Sequence, residues 1–183
     1  MQEKISLLEM PWADKVKAIV HGYLSGQAGA SAMFNVLTGK VNPSGRLNET
    51  YPVRYGDTPA YSYYPSKERS SEYREGPYVG YRYYETRYED VVMGTANVGD
   101  YNYADTVAYP FGYGLSYTTF EYSDFEVDYD KSSDSFDVTV KVTNTGDVAG
   151  KEVVQVYFQS PYTDYDKENG IENSLTHVRG MVS

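Results

Sequence analysis

The sequence predicts a mixed chain in which a partial α/β unit is followed by an incomplete β-sandwich. An apolar strand pattern, a glycine turn and a helix pattern follow one another over residues 16–39. Short segments of alternating apolar and polar residues begin near Thr118, as expected for half-buried strands. A tract rich in glycine and aromatic residues, residues 110–120, separates the two patterns. We therefore place the α/β part at residues 1–115 and the β part at residues 116–183.

The α/β part begins with the most regular stretch of the chain. Residues 16–23 are apolar and β-branched, which indicates a buried strand, and residues 25–29 form a glycine turn. Residues 30–37 predict a helix of about two turns that Gly39 ends. The glycines do not form a nucleotide loop, because the Lys-Ser/Thr pair of a P-loop is missing and no third glycine completes a dinucleotide pattern.

The middle of the chain, residues 51–109, shows little helical periodicity and is rich in Tyr, Pro, Gly and charged residues. We expect a long, partly ordered excursion with short strands, for example over residues 78–84. Residues 90–105 are the least structured in appearance. Loops of this length in compact proteins are usually functional or wrap another domain.

The β part contains three alternating segments, residues 120–127, 136–142 and 152–158, with a turn at residues 144–147. A fourth strand is expected over residues 175–181. Because a typical sandwich of this kind has about seven strands, the sandwich is incomplete.

The boundary tract is expected to be a rigid aromatic joint. Gly112 and Gly114 suit a tight loop, since glycine enters left-handed conformations freely. We expect most of the large side chains of this tract to be buried and to lock the two parts together. These side chains are Phe111, Tyr113, Leu115, Tyr117 and Phe120.

Composition argues against several classes of partner. The net charge is −10 and the Lys and Arg residues are scattered, whereas nucleic-acid binding needs basic clusters. The chain has no cysteine, which removes disulfides and thiolate metal sites. No apolar run approaches the ~20 residues of a membrane span. Residues 1–4 lack the pattern of a signal peptide, so a cytoplasmic location is expected, and secretion stays open if the chain is a fragment.

No catalytic, cofactor-binding or metal-binding residue emerges from the pattern. Glu72 and Glu75 are the best carboxylate candidates, but Glu75 lies between Arg74 and Gly76, where an ion pair or a turn is the expected role. Three aspartates resemble a calcium loop but lack its glycine and closing glutamate, which favours a polar hairpin turn. Two histidines are too few for a zinc cluster. The three aspartates are Asp128, Asp130 and Asp134, and the two histidines are His21 and His177.

Several tracts resemble glycoside hydrolase family 3 in the same order, most closely its bacterial β-glucosidases. The resemblance covers about residues 9–161, with an insertion at residues 90–105 and with Ala30 at a position where the family usually has glycine. The tracts are residues 10–19, 26–32, 41–52, 73–84, 110–120 and 144–157.

The resemblance implies the end of an α/β sandwich domain followed by the start of a fibronectin type III-like domain. It also implies that the whole enzyme hydrolyses terminal β-linked sugars with retention, as a β-glucosidase or β-xylosidase. The nucleophilic Asp of this family lies in a separate barrel domain, and the acid/base Glu lies upstream of the part present here. The expected partners are therefore a β-linked oligosaccharide and the missing barrel domain, and this part is expected to supply scaffold and a rim for the sugar site.

Two other functions stay open at this point. A tyrosine-rich surface on a sandwich also suits a non-catalytic carbohydrate-binding or adhesion module, which would grip polysaccharide by ring stacking. The chain would alternatively serve as a structural clamp between domains. A barrel domain on the same polypeptide would decide for the enzyme.

Overall fold

The computed structural model describes residues 10–65, 69–94 and 99–171, and the backbone of residues 176–182. The helices are α1 (Gly29–Leu37), α2 (Tyr81–Met93), α3 (Tyr103–Thr106) and α4 (Asp164–Asn169). The strands are β1 (Tyr51–Pro52), β2 (Val107–Tyr109), β3 (Phe120–Asp130), β4 (Ser135–Asn144), β5 (Val154–Gln159) and β6 (Thr176–Val182). These elements confirm a chain of mixed α and β structure.

The chain divides into two compact units that interleave along the sequence. The first unit comprises Met1–Ile19, Arg46–Tyr113 and Gln155–Val182, so far as these stretches are described. The second unit comprises Val20–Gly45 and Gly114–Val154. The division into domains 1–115 and 116–183 stays a prediction.

The first unit is held together around the short antiparallel pair of β1 and β2. Its most buried side chains come from these strands and from α2, and Tyr84 of α2 is only 2% exposed. The Tyr84 hydroxyl donates to the carbonyl of Asp57 at 3.2 Å, and Tyr101 donates to the carbonyl of Tyr84 at 3.3 Å. The buried tyrosine is therefore satisfied at its polar tip, as a buried hydroxyl requires.

Helix α2 overturns the prediction of a strand over residues 78–84 and of little helical periodicity. Tyrosine favours strands on average, and four tyrosines in this helix conceal the spacing of its buried face. The glycines at the two ends of the helix are the feature of the sequence that indicates it. Gly80 and Gly94 adopt φ angles of 62° and 64°, and Gly94 is a left-handed C-cap. Glycine in that conformation is a common helix stop.

Helix α1 confirms the predicted helix, and Gly39 follows it with a φ of 72°. The strand predicted over residues 16–23 is wrong. This segment pairs with no strand among the described residues, and Val16, Ile19 and Val20 are about 40% exposed. A β-strand exists only where a neighbour takes up its backbone hydrogen bonds, and an apolar sequence does not supply that neighbour.

The predicted strands at residues 120–127 and 136–142 are confirmed as the antiparallel hairpin of β3 and β4. The pairing is interrupted between Ser123 and Glu126, where Asp124 has a φ of 52°. This bulge shifts the side-chain alternation by one residue. All nine large apolar side chains of the hairpin therefore share one face, which we call the apolar face: Phe120, Tyr122, Phe125, Val127, Tyr129, Phe136, Val138, Val140 and Val142.

The third predicted strand is confirmed as β5, which lies beside β6 in a two-stranded sheet. Strand β6 overlaps the fourth predicted segment, whose first residue, Leu175, lies outside the described residues. The described strands form three two-stranded sheets. Within the region predicted to be least structured, Asn102 caps α3 by accepting from the Ala104 amide at 3.1 Å, and residues 95–98 are outside the described part. Where the chain is described, no helix is long and apolar enough to cross a bilayer.

Candidate functional site

The boundary tract is not the buried aromatic joint that the sequence suggested. None of its five large side chains is buried, and Tyr113, Leu115 and Tyr117 are 39%, 71% and 48% exposed. Phe111 and Phe120 are half-buried. The prediction that most of them are buried is therefore wrong, because contacts such as the packing of Tyr81 on Phe111 cover only part of each side chain.

The two glycines of the tract also differ from each other. Gly112 adopts a φ of 80°, which confirms its predicted backbone role, whereas Gly114 has no positive φ. The amide of Gly112 donates to the Leu47 carbonyl at 2.7 Å, and the Leu47 amide donates to the Tyr113 carbonyl at 2.8 Å. A side chain at Gly112 would meet the Gln155 amide oxygen at 2.5 Å. Backbone hydrogen bonds and a tight approach therefore fix this loop within the first unit.

In the second unit, polar groups hold the end of the tract, and Asn42 is at their centre. The Asn42 Oδ1 accepts from the Ser116 hydroxyl at 3.0 Å and from the Tyr117 amide at 2.8 Å. Its Nδ2 donates to the Ala149 carbonyl at 3.1 Å. Tyr117 adds a hydrogen bond from its hydroxyl to the Val36 carbonyl at 2.7 Å. We call these groups the Asn42 latch.

The latch continues into the base of the hairpin. Thr118 donates to the Asn144 Oδ1 at 2.6 Å, and Asn144 Nδ2 donates to the Val148 carbonyl at 2.9 Å. A side chain at Gly150 would lie 2.6 Å from Asn42 Nδ2 and 3.2 Å from the Phe120 ring. A side chain at Gly150 would therefore displace Asn42, so close approach rather than backbone angles favours glycine here.

The main candidate site is a pocket of the first unit that combines aromatic rings with one carboxyl group. Its volume is about 280 Å³. We call it the Glu85 pocket, and it is lined by Tyr81, Glu85, Tyr103, Pro110, Phe111 and Tyr157. Helices α2 and α3, strand β5 and the loop at residues 110–113 each contribute to it, so four segments converge on one carboxyl group.

The rings and the carboxyl group are fixed by specific contacts. The Tyr103 hydroxyl donates to Glu85 Oε1 at 2.7 Å. Tyr81 and Phe111 pack with ring centroids 4.6 Å apart at 31°, and Tyr103 also meets Tyr88 edge to face at 5.1 Å. Among the described residues, the Glu85 carboxyl group accepts its hydrogen bond from the Tyr103 hydroxyl.

The electrostatics of the pocket follow from its burial. Burial raises the pKa of Glu85, and the hydrogen bond from Tyr103 opposes that shift. Burial is also the main cause that raises the pKa of Tyr103, followed by its hydrogen bond to Glu85. The pKa of Tyr157 is raised for the same first reason, with the charges of Tyr81 and Glu85 adding to it. The pocket therefore disfavours negative charge and has no cationic group in its lining.

Comparison with known proteins identifies the chain. The sequence profile described as "Glycosyl hydrolase family 3 C-terminal domain" matches residues 3–81. The chain is 47% identical over 154 residues to "Thermostable beta-glucosidase B" of Acetivibrio thermocellus, a match that covers 83% of this chain and 18% of that protein. The chain belongs to glycoside hydrolase family 3.

Two further comparisons extend over more of this family 3 chain. "Probable beta-glucosidase K" of Emericella nidulans is 44% identical over 84% of the chain and 16% of that protein. The structure of β-glucosidase 3B from Thermotoga neapolitana in complex with α-D-glucose has a TM-score of 0.72 and 36% identity, over 93% of this chain and 21% of that one. The chain thus spans about a fifth or less of the length of these curated relatives.

In this family 3 chain, Glu72 and Glu75, the carboxylates singled out by the sequence, make local contacts. Glu72 is exposed and accepts from Arg74 Nε at 2.6 Å, so the ion pair of Arg74 is with Glu72. The Glu75 carbonyl accepts from the Tyr78 amide at 3.0 Å, as its predicted turn role requires. The charge of Glu75 also helps to raise the pKa of Tyr63, after burial. Whether either residue has a functional role stays open to test.

The other predicted constellations have structural roles where they are described. Asp130 ends β3 and accepts from the Ser132 and Ser133 hydroxyls at 2.7 and 2.8 Å. Hydrogen bonds to Ser132 and Ser133 lower the pKa of Asp130 to about 2, which confirms a polar hairpin turn. His21 is half-buried against the Tyr23 ring at 4.0 Å, and the side chain of His177 is outside the described part. No group of three metal-ligating side chains occurs among the residues described.

Sequence reasoning missed Glu85 because it missed helix α2. Once α2 is a helix, Tyr81, Glu85 and Tyr88 lie at i, i+4 and i+7, on one face of the helix. A carboxylate between two tyrosines on one helix face was the available signal. The sequence holds no signal for the other lining residues, Tyr103, Phe111 and Tyr157. No local pattern predicts that their segments meet helix α2.

Proposed function

We propose that the chain is a scaffold part of a larger retaining β-glucosidase or β-xylosidase, which acts on terminal β-linked sugars and whose catalytic carboxylates lie elsewhere in the polypeptide. The observation that carries the proposal is the single carboxyl group of the Glu85 pocket. A retaining glycosidase needs two carboxyl groups roughly 5 Å apart. The small share of each relative that the chain covers supports the same proposal.

We also propose that the hairpin of β3 and β4 begins a fibronectin type III-like sandwich. The support is its division into an apolar and a polar face, since one face of a sandwich strand packs against a second sheet. Phe125 and Phe136 of the apolar face are 68% and 67% exposed, so a second layer has a large surface to cover.

Sequencing the DNA on both sides of this reading frame tests the enzyme proposal. The expected result is a barrel domain with an Asp nucleophile in the same reading frame, and hydrolysis of an aryl β-glucoside by the polypeptide that includes it. A reading frame that holds no barrel domain, or a complete polypeptide without turnover on aryl β-glucosides and β-xylosides, would overturn it. The cytoplasmic location belongs to the same proposal and is tested by cell fractionation.

A second candidate function is a carbohydrate-binding module, and the aromatic lining of the Glu85 pocket favours it. Tyrosine and phenylalanine rings bind the apolar faces of sugars while hydroxyls and carboxylates bind their polar edges. Affinity electrophoresis of the chain in gels that contain β-glucan distinguishes the two functions. Retardation that Phe111→Ala abolishes would support a binding module, and unchanged mobility would leave the scaffold role.

A further inference from the structure

The Glu85 pocket has a chemical imbalance that the scaffold role does not explain. Its lining combines four aromatic rings, a proline and one carboxyl group, and it contains no Lys, Arg or His. The hydroxyl of Tyr103 takes one carboxyl oxygen at 2.7 Å. An ionised carboxylate in such surroundings is costly unless a positive charge lies beside it.

The faces of aromatic rings attract the same positive charge. An aromatic ring carries negative potential on its face and binds ammonium or guanidinium groups within about 6 Å of its centroid. Tyr81 and Phe111, whose centroids are 4.6 Å apart, stand together in the lining with Glu85. Tyr81 and Phe111 pack against each other, so they offer a cation their outer faces and edges, and Glu85 supplies the opposite charge beside them.

The size of the pocket limits the ligand. At about 280 Å³ it lies just below the range of roughly 300–1,000 Å³ typical of sites for drug-sized molecules. It therefore suits a small ion or the head of a long side chain.

We propose that the Glu85 pocket binds the head of an organic cation, an ammonium or a guanidinium group, between its aromatic rings and Glu85. One ligand chemistry fits two sources, a free small cation or a Lys or Arg side chain from the remainder of the parent polypeptide. The inference is independent of the proposed glycosidase function, because it concerns the pocket of this chain alone.

Titration of the chain with tetramethylammonium chloride, followed by amide chemical shifts in NMR spectra, tests the proposal. The expected result is saturable shifts at Glu85, Tyr103 and Phe111. Sodium chloride at equal ionic strength and tert-butanol, a neutral molecule of similar size, should not reproduce them. Equal shifts with either control, or none with tetramethylammonium, would overturn the proposal.

Two variants assign the binding to the carboxylate. Glu85→Gln keeps the side-chain size and an acceptor for Tyr103 but removes the charge, and we expect affinity to fall about tenfold or more, as for loss of a charged contact. Glu89→Gln is the matched control, because Glu89 lies one turn along α2 and bonds Gln159 at 3.0 Å instead. Equal affinity of the folded Glu85→Gln variant and the wild type would overturn the proposal.

The same titration of the complete parent polypeptide separates the two sources. Binding to both proteins shows a free ligand site. Binding to the 183-residue chain alone shows that a side chain of the remaining polypeptide already occupies the pocket, and both results support a cation site. Failure of this titration and failure of the glycosidase assay are separate events, since the titration needs no turnover.

Discussion

At the residue scale, single polar side chains fix the boundary tract, a role that the sequence assigned to aromatic rings. Asn42 satisfies two groups of the boundary tract and one carbonyl after the hairpin. The role of Asn42 could not be predicted from the sequence, because a single asparagine forms no periodic pattern. Its three partners are also 74 to 107 residues away. The aromatic residues were conspicuous in the sequence, but apolar residues near a boundary are buried only when something covers them.

Asn42→Ala should lower the free energy of unfolding by about 1.5–4.5 kcal/mol, since it removes three hydrogen bonds worth roughly 0.5–1.5 kcal/mol each. Asn42→Asp keeps the acceptor for Ser116 and Tyr117 but replaces the donor to Ala149 with a carboxylate oxygen that faces its carbonyl. Urea denaturation should therefore show both variants to be less stable than wild type. An Asn42→Ala protein as stable as wild type would show that the latch is unimportant.

Glu85 should make stability depend on pH. Its folded-state pKa is raised by burial, so the folded chain holds this proton more tightly than the unfolded chain. The resulting stabilisation is present below the ordinary pKa of Glu and is lost as pH rises through the raised value. We expect Glu85→Gln to be more stable than wild type at pH 7 and this difference to shrink toward pH 4. Urea midpoints at several pH values measure this, and a Glu85→Gln variant less stable than wild type at pH 7 would contradict it.

At the element scale, regular side-chain patterns could be read from the sequence and conformations set by distant contacts could not. Strands β3 and β4 follow period-two alternation, and α1 follows a short apolar run with Gly39 after it. Even the bulge had a signal, since the alternation changes phase between Tyr122 and Phe125. Helix α2 was missed because tyrosine's strand preference outweighed the glycines at its ends. The segment at residues 16–23 failed because strand formation depends on a partner.

Deletion of Asp124 tests the role of the bulge. Without this residue, Tyr122 and Phe125 would be two positions apart, so regular alternation would keep both on the apolar face and the remaining pairs in register. We expect the deletion to retain the protection of the β3 and β4 amides from hydrogen exchange. Asp124→Gly is the control that keeps the bulge, since glycine adopts the φ of 52° without strain. Loss of protection in the deletion variant, with protection retained in Asp124→Gly, would show that the hairpin needs the bulge itself.

At the scale of the whole molecule, the apolar face of the hairpin is an apolar surface that the described residues leave largely uncovered. Six of its nine side chains are at least 37% exposed. An exposed apolar patch of this kind marks an interaction surface or an aggregation hazard. The family assignment could be made from sequence tracts alone, but the exposure of this face became evident only once the pairing register was known.

We expect the isolated chain to self-associate at micromolar concentrations through this face. Phe125→Glu should shift the sedimentation distribution toward monomer. Ser123→Glu adds the same charge on the polar face, opposite Lys141, and should leave association unchanged. A wild-type chain that sediments as a monomer with a sharp reversible melting transition would contradict this expectation.

The central claim is that this family 3 chain is scaffold and that both catalytic carboxylates lie outside it. The measurement that tests it most directly is hydrolysis of an aryl β-glucoside by the purified 183-residue chain. Glu75→Gln is assayed in parallel, because Glu75 is one of the two carboxylates that the sequence singled out. We predict release of the aryl group no faster than in buffer for both proteins. Turnover by the wild-type chain that survives repurification and is lost in Glu75→Gln would contradict the claim and place a catalytic carboxylate within this chain.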